Sequence, residues 1–158
     1  MLFSTAILPL LAMTSVSATA IMSRSAQDVK IKLKDTDDCV SKVASKVNTG
    51  KFEIFLEKCA DAPKWTINRD APGNIKLAGS DQDVFDTHAY GAVIVLESPE
   101  KDKKSQQWTF HDDGTISEGQ QGYCLTKTQN EDNLLSTDPC GDDQLMADGY
   151  KQGWEIVE

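Results

Sequence analysis

A tryptophan-led motif occupies residues 108–116 and reads Trp108-Thr-Phe-His-Asp-Asp-Gly-Thr-Ile116. A second copy, with two extra residues in its turn, occupies residues 65–75 and reads Trp65-Thr-Ile-Asn-Arg-Asp-Ala-Pro-Gly-Asn-Ile75. A third copy begins at Trp154-Glu-Ile156. The tryptophans lie 43 and 46 residues apart, so the sequence predicts three internal repeats of about 42 residues each.

The four cysteines fall in the first and third repeats and are absent from the second. Cys39 and Cys59 lie 20 residues apart, and Cys124 and Cys140 lie 16 apart. Sequence alone allows three disulfide connectivities, but the joint absence of two cysteines from the middle repeat favours pairing within a repeat. The competing use is zinc binding. The chain has no Cys-x-x-Cys motif and two histidines, so we expect no metal site.

Short apolar runs between turn residues predict an all-β chain. Val29-Lys-Ile-Lys-Leu33 alternates apolar and polar side chains, and residues 52–56 and 93–96 are short apolar runs. Glycine, aspartate, asparagine and proline punctuate these runs, and Asp113-Gly114 is a hairpin signal. Three units of four short strands cannot bury their apolar faces separately. We therefore expect one closed barrel, a β-trefoil.

The first twenty residues are predicted to lie outside this fold. Met1–Ala20 has no charged residue; its apolar stretch from Leu2 to Met13 is broken by Ser4, Thr5 and Pro9, and it ends in small residues that suit a signal peptidase. A membrane anchor would need about 20 unbroken apolar residues, more than this run supplies. We expect a signal peptide at 1–20, a secreted, extracellular protein, and one domain at 21–158. Its three repeats are expected to span residues 29–75, 76–116 and 117–158.

The charge of the chain argues against two classes of partner. Its 25 acidic and 16 basic residues give a net charge of −9. Nucleic-acid binding needs clustered lysine and arginine, which the sequence lacks, so no nucleic-acid partner is expected. The same negative sign disfavours anionic membrane surfaces, and no membrane insertion is expected.

The repeats resemble the ricin-B-type lectins, also called family 13 carbohydrate-binding modules. That family carries a Gln-x-Trp motif in each repeat. Gln106-Gln-Trp108 and Gln152-Gly-Trp154 match it, whereas Pro63-Lys-Trp65 keeps only the tryptophan. The resemblance covers residues 29–158 and implies a β-trefoil with a disulfide inside a repeat. It also implies a glycan or glycoprotein as partner, and a structural core role for Trp65, Trp108 and Trp154.

The resemblance also implies where a sugar would bind. The family places an aspartate two residues after the first cysteine of a repeat, an aromatic residue two before the second, and a polar residue before Gln-x-Trp. A carboxylate there accepts hydrogen bonds from sugar hydroxyls, and the ring stacks on the apolar sugar face. The first repeat has Ser41 and Glu57 at the first two places, and the third has Thr126 and Asp138, so both have lost the pattern.

The middle repeat keeps most of this pattern, but no cysteine fixes its alignment. If Asp81 takes the cysteine place, Asp83 is the candidate carboxylate. If Val84 is aligned with Val40 and Leu125, Asp83 takes the cysteine place and Asp86 is the candidate. Glu97 takes the aromatic place, so His88 or Tyr90 would supply the ring. The expected carbohydrate-binding residues are Asp83, Asp86, His88, Tyr90 and Gln106.

Three functions compete at this point. The favoured one is a secreted, non-catalytic lectin-like protein with at most one retained sugar site. The alternative is a trefoil that binds a protein partner, such as a protease inhibitor or a secreted effector, and has lost sugar binding. An enzyme is not expected, because acidic pairs such as Asp112-Asp113 fall in turns and no hydrolase, metalloprotease or phosphate-loop motif is present. No cofactor is expected.

Overall fold

The structure, a computed structural model, describes residues 24–89, 91–119, 122–129, 131–142 and 146–158. The predicted signal peptide at 1–20 and the candidate ring of Tyr90 lie outside these ranges. One 3-10 turn, Lys104–Gln106, and twelve strands are described within them. The strands are β1 (Arg24–Leu33), β2 (Asp38–Ala44), β3 (Phe52–Lys58), β4 (Trp65–Arg69), β5 (Lys76–Leu77), β6 (Val84–Asp86), β7 (Val95–Glu97), β8 (Trp108–Phe110), β9 (Ile116–Glu118), β10 (Tyr123–Lys127), β11 (Leu135–Pro139) and β12 (Trp154–Val157).

The strands form one continuous sheet with threefold internal repetition. The strand order is β11-β10-β9-β8-β4-β5-β6-β7-β3-β2-β1-β12, and β4 also pairs with β1. Each tryptophan starts the last strand of its repeat and lies opposite a residue in the first strand of the next. The three cross-strand pairs are Trp65–Leu77, Trp108–Glu118 and Trp154–Leu33. The all-β fold with three repeats is the β-trefoil predicted from the sequence.

The tryptophans lie in the centre of the core. Trp65, Trp108 and Trp154 are at most 1% exposed. Phe85 packs its ring edge-on against two of them, with ring centroids 4.9 Å from Trp65 and 6.0 Å from Trp108. Each indole nitrogen also donates a hydrogen bond to a backbone carbonyl of the second strand of its own repeat. The pairs are Trp65 Nε1–Val40 O (2.9 Å), Trp108 Nε1–Phe85 O (3.3 Å) and Trp154 Nε1–Leu125 O (3.0 Å).

These hydrogen bonds fix the alignment that the sequence left open. Phe85 is the equivalent of Val40 and Leu125, so Val84 takes the cysteine place of the middle repeat. Neither alignment weighed from the sequence has this register: one put Asp81 at the cysteine place, and the other put Asp83 there. The residue two positions after the cysteine place is Asp86.

The two disulfides join Cys39 to Cys59 and Cys124 to Cys140, within the first and third repeats. This result confirms the prediction that the cysteines pair within a repeat. In the middle repeat, Val84 lies opposite Glu97. In the first repeat, Cys39 lies opposite Glu57 in the same register. Val84 is fully buried. An apolar side chain therefore fills the space that a disulfide occupies in the other two repeats.

Removing the Cys124–Cys140 disulfide should destabilise the protein substantially. The bond links residues 16 apart, and a loop of this size is expected to contribute about 3 kcal/mol by restricting the unfolded chain. We expect the Cys124→Ala/Cys140→Ala double variant to lose about that much free energy of unfolding in a urea titration. The Cys39→Ala/Cys59→Ala variant is the matched comparison. A loss below about 1 kcal/mol in both would contradict the entropic account.

Candidate functional site

Asp86 ends strand β6 and is fully buried. Its carboxylate accepts three hydrogen bonds from the segment that precedes Trp108. Oδ1 accepts one from Ser105 Oγ at 2.7 Å, and Oδ2 accepts one from Gln106 Nε2 at 3.0 Å. Lys103 Nζ makes an ion pair with Oδ2 at 2.8 Å. Asp86 and Gln106, predicted separately as site residues, therefore lie in one hydrogen-bonded cluster.

The cluster keeps the Asp86 carboxylate ionised. Burial alone would raise the pKa of Asp86, but the hydrogen bonds from Lys103, Ser105 and Gln106 and the charge of Lys103 outweigh that effect and lower it. The pKa of Lys103 is raised in turn by its hydrogen bonds to Asp86 and Glu100. Lys103 Nζ lies 2.5 Å from Glu100, so this lysine links a buried carboxylate to an exposed one.

Gln106 ties this cluster to the backbone of the preceding loop. Its Nε2 also donates to Ser98 O at 3.0 Å, and its Oε1 accepts a hydrogen bond from the Glu100 amide at 2.7 Å. Ser105 and Gln106 are the buried residues of the 3-10 turn Lys104–Gln106, so this turn positions both side chains inside the protein. Every polar atom of the Gln106 amide group thus has a partner, as a buried amide requires.

In the third repeat the equivalent of Asp86 is Thr126, which carries no charge. Gln152 Nε2 donates to Thr126 Oγ1 at 2.9 Å and to Pro139 O at 2.9 Å. Its Oε1 accepts a hydrogen bond from the Gly141 amide at 2.9 Å. Gln152 therefore makes the contacts that Gln106 makes, but its partner is a hydroxyl instead of a carboxylate.

In the first repeat the equivalent of Asp86 is Ser41, whose hydroxyl donates to the Glu57 carboxylate. Pro63 replaces the glutamine of Gln-x-Trp there, so no amide reaches this position. Among the three equivalent positions, the middle repeat alone supplies a carboxylate.

A second buried carboxylate, Glu118, lies beside Asp86. Glu118 is 6% exposed and accepts a hydrogen bond from Thr87 Oγ1 at 2.7 Å. Burial raises its pKa, the Thr87 hydrogen bond lowers it, and the negative charge of Asp86 raises it further; the net shift is upward. Sequence reasoning missed Glu118. The signal was present in the repeats, because the equivalents of Glu118 opposite the other two tryptophans are Leu33 and Leu77.

The remaining predicted site residues have other partners. His88 is half exposed, and its Nε2 lies 3.5 Å from Glu97 Oε1. Lys51 contacts the same Glu97 oxygen. Asp83 accepts a hydrogen bond from Ser80 Oγ at 2.9 Å and belongs to the turn before β6. Among the described residues, no hydrogen bond joins His88 or Asp83 to the Asp86 cluster.

A cleft of about 660 Å³ lies elsewhere, at the β8–β9 hairpin and the Cys124–Cys140 disulfide. Its lining includes His111, Asp112 and Asp113. Asp113 accepts hydrogen bonds from the Thr115 amide and hydroxyl, which lower its pKa and form an ordinary turn. In the part of the chain that the structure describes, no group of three or more histidine, cysteine, aspartate or glutamate side chains is arranged to hold a metal ion.

Two comparisons with known proteins bear on this geometry. Residues 27–146 match the family model of the ricin-type β-trefoil lectin domain. A search of curated proteins found no significant match. Separately, no helix in the described ranges is long and apolar enough to span a bilayer. The matched segment includes the Asp86 cluster, both disulfides and two of the three tryptophans.

Proposed function

Because the chain belongs to the ricin-type β-trefoil lectin domain family, we propose that it is a secreted, non-catalytic carbohydrate-binding protein with one sugar site in its middle repeat. The domain itself suggests carbohydrate binding, and members of this family are generally binding modules without catalytic activity. One observation supports the choice of repeat. Asp86 is an ionised carboxylate, hydrogen-bonded to the glutamine of Gln-x-Trp, at a position where the other repeats have Ser41 and Thr126.

Sugar binding at Asp86 requires Lys103 to move. A carboxylate that binds a pyranose accepts hydrogen bonds from adjacent hydroxyls, but Asp86 is fully buried and both of its oxygens already have donors. Of these donors, Ser105 and Gln106 are buried, whereas the Lys103 side chain is 30% exposed and already contacts Glu100. Lys103 can keep a carboxylate partner while it leaves Asp86. The expected affinity is weak, because a sugar hydroxyl must replace a charged donor.

The rim of the proposed site contains His88 and Glu97, joined by their 3.5 Å contact. Glu97 stands at the place where the family has an aromatic residue, so the rim offers a carboxylate and an imidazole instead of a ring dedicated to stacking. Tyr90, outside the described residues, remains the proposed stacking ring. Asp83 is the less favoured candidate for binding a sugar, because its carboxylate accepts a hydrogen bond from Ser80 within its own turn and is not part of the Asp86 cluster.

A glycan array with the mature protein, followed by titration of the best glycan, tests this function. We expect Lys103→Met to raise the affinity by about tenfold, because it frees one oxygen of Asp86 from a charged donor. Asp86→Asn should abolish binding while the protein stays folded by circular dichroism. Lys104→Met is the matched control. It removes an exposed lysine next in sequence, and its affinity should equal that of the wild type.

The lectin proposal fails if neither the wild type nor Lys103→Met binds any glycan at high protein concentration. Binding that survives Asp86→Asn would instead move the sugar site away from the middle repeat. Non-catalytic binding also predicts that a bound oligosaccharide is recovered intact after long incubation.

A protein partner is the second candidate, and one surface favours it. Val43, Val47 and Phe52 are the exposed large apolar side chains among the described residues, and all three lie on or between β2 and β3. Exposed apolar side chains grouped on one hairpin suit a protein interface. Inhibition of a panel of secreted proteases by the wild type, lost in Val47→Ser/Phe52→Ser, would favour this candidate over the lectin.

Secretion is also part of the proposal. Two disulfides, no free cysteine among the described residues, and a lectin-type domain are consistent with an oxidising, extracellular environment. We propose cleavage after the first twenty residues and a mature domain at 21–158. The amino-terminal sequence of the protein recovered from culture medium tests the cleavage position.

A further inference from the structure

The Asp86 cluster already holds an ammonium group. Lys103 Nζ lies 2.8 Å from Asp86 Oδ2 and 2.5 Å from Glu100 Oε1, so this nitrogen bridges a fully buried carboxylate and an exposed one. Lys103 directly precedes the 3-10 turn Lys104–Gln106, and its side chain is 30% exposed. The cation that neutralises Asp86 is therefore carried by a side chain that reaches the carboxylate from the surface.

Glu118 supplies a second, independent indication. Its side chain is buried, and its Oε1 accepts the hydrogen bond from Thr87, but its Oε2 accepts no hydrogen bond from any described residue. Glu118 also lies close enough to Asp86 for the charge of Asp86 to raise its pKa. Among the described residues, Lys103 is the one cation that forms an ion pair with Asp86, Glu100 or Glu118. Three carboxylates therefore share one ammonium group.

A neutral sugar cannot replace this ammonium group at equal cost. If a hydroxyl took the place of Lys103 Nζ, Asp86 would keep only neutral donors, from Ser105 and Gln106. A buried carboxylate without a cation is costly, and a hydrogen bond from a charged donor is about twice as strong as one from a neutral donor. A ligand with its own ammonium group would keep the charge of Asp86 balanced, while Lys103 retained Glu100 as its partner.

The same charges discriminate among classes of saccharide. The carboxylate or sulfate of an acidic sugar would be repelled by Asp86 and Glu118. An N-acetylated amino sugar carries no positive charge, so its binding would have the same cost as that of a neutral sugar. The net charge of −9 attracts cations to the protein as a whole. A sugar with a free amino group is the class that matches these charges.

We propose that the ligand of the Asp86 site is an amino sugar whose ammonium group takes the place of Lys103 Nζ against the Asp86 carboxylate. The ammonium group follows from the ion pair that the protein itself makes, whereas the saccharide that carries it rests on the proposed carbohydrate-binding function. Asp86 accepts the charged hydrogen bond, and Glu118 adds negative charge beside it.

Titration calorimetry of the intact protein at about pH 6, where an amino group is protonated, tests the choice of ligand. The probes are glucosamine, N-acetylglucosamine and glucose, at low ionic strength. We expect glucosamine to bind about tenfold more tightly than the other two, the effect of gaining one charged hydrogen bond. Asp86→Asn should abolish this preference.

Glu118→Gln isolates the contribution of charge. It keeps an oxygen to accept from Thr87 but removes the negative charge, so it should weaken glucosamine binding several-fold and leave N-acetylglucosamine binding unchanged. Glu131→Gln is the matched control. It makes the same change at an exposed position in the third repeat, and the affinities for both sugars should equal those of the wild type.

A second measurement tests the ammonium place without any sugar. Lys103→Ala removes the native ammonium group, and methylammonium should occupy the vacated place. We expect methylammonium chloride to raise the thermal unfolding midpoint of Lys103→Ala by about 2–4 °C relative to sodium chloride at equal concentration. Tetramethylammonium, which has no N–H donor, should not raise it. The wild type and Lys104→Ala, which lacks the next lysine in sequence, should not respond to methylammonium.

The outcomes separate this proposal from the lectin proposal. Glucosamine that binds no more tightly than N-acetylglucosamine overturns the amino sugar, while binding of neutral sugars that depends on Asp86 would leave the lectin proposal standing. Equal responses of the wild type and Lys103→Ala to methylammonium also overturn it. Rescue by methylammonium together with a preference for glucosamine supports it. Rescue without binding of any saccharide would overturn the amino sugar and the lectin proposal together.

Discussion

Replacing Trp108 with alanine is expected to lower the free energy of unfolding by about 3–5 kcal/mol. The indole is fully buried, packs edge-on against Phe85 and donates to the Phe85 carbonyl. Alanine would leave a large cavity in the core and remove one donor. Urea denaturation followed by circular dichroism measures the loss, and a variant that fails to fold at 25 °C would be its extreme form.

Trp108→Phe is the informative control. It keeps most of the apolar volume but leaves the Phe85 carbonyl without its indole partner, so the expected loss is smaller, about 1–3 kcal/mol. Because Trp65 and Trp154 occupy equivalent places, their alanine variants should lose similar amounts. A loss below about 1 kcal/mol for Trp108→Ala would contradict the core role.

Replacing Asp86 with alanine should cost about 1–3 kcal/mol, because it leaves the buried Ser105 hydroxyl without its acceptor and removes one acceptor of the Gln106 amide. Lys103 keeps Glu100 as its partner, so loss of the ion pair adds little to this cost. Urea denaturation at pH 7 measures this cost. Asp83→Ala is the matched control: it removes an aspartate from the adjacent turn, and its effect should stay within about 1 kcal/mol.

The cost of Asp86→Ala should depend on pH in one direction. The folded-state pKa of Asp86 lies below its unfolded value of about 3.9, so its contribution to stability is complete above that pH and disappears as the pH falls through the folded-state pKa. Glu118 has the opposite sign: its raised pKa gives a contribution that is lost as the pH rises. The difference between wild type and Asp86→Ala should therefore shrink in acid. A constant difference from pH 7 to pH 2 would contradict the ionised state of Asp86.

The fold was predictable because its determinants repeat along the chain. Each repeat buries one tryptophan, so the tryptophans recur at similar spacing. A disulfide within a repeat needs both cysteines, so the middle repeat lacks both together. The alignment within the middle repeat was not predictable to the residue. Without a cysteine, the three-residue strand Val84–Asp86 contains no feature that distinguishes one register from the next; the indole hydrogen bond to Phe85 O distinguishes them.

The candidate site was predictable only in part, for a different reason. Asp86 and Gln106 belong to motifs, and sequence reasoning reached both. Lys103 and Glu118 belong to no motif, and their positions depend on how the loop before Trp108 and the strand after it fold back over β6. Those tertiary contacts decide whether the Asp86 carboxylate is accessible to a ligand or covered by Lys103.

The pairing of β1 with β12 has a consequence for biosynthesis. Lys30 lies opposite Val157, a partner that the ribosome adds 127 residues later. At roughly 5–20 residues per second, the nascent β1 waits on the order of ten seconds for that partner. During this interval the edge of β1 at residues 30–33 can pair with other chains. The amino-terminal strand of the nascent chain is therefore exposed to mispairing until translation is complete.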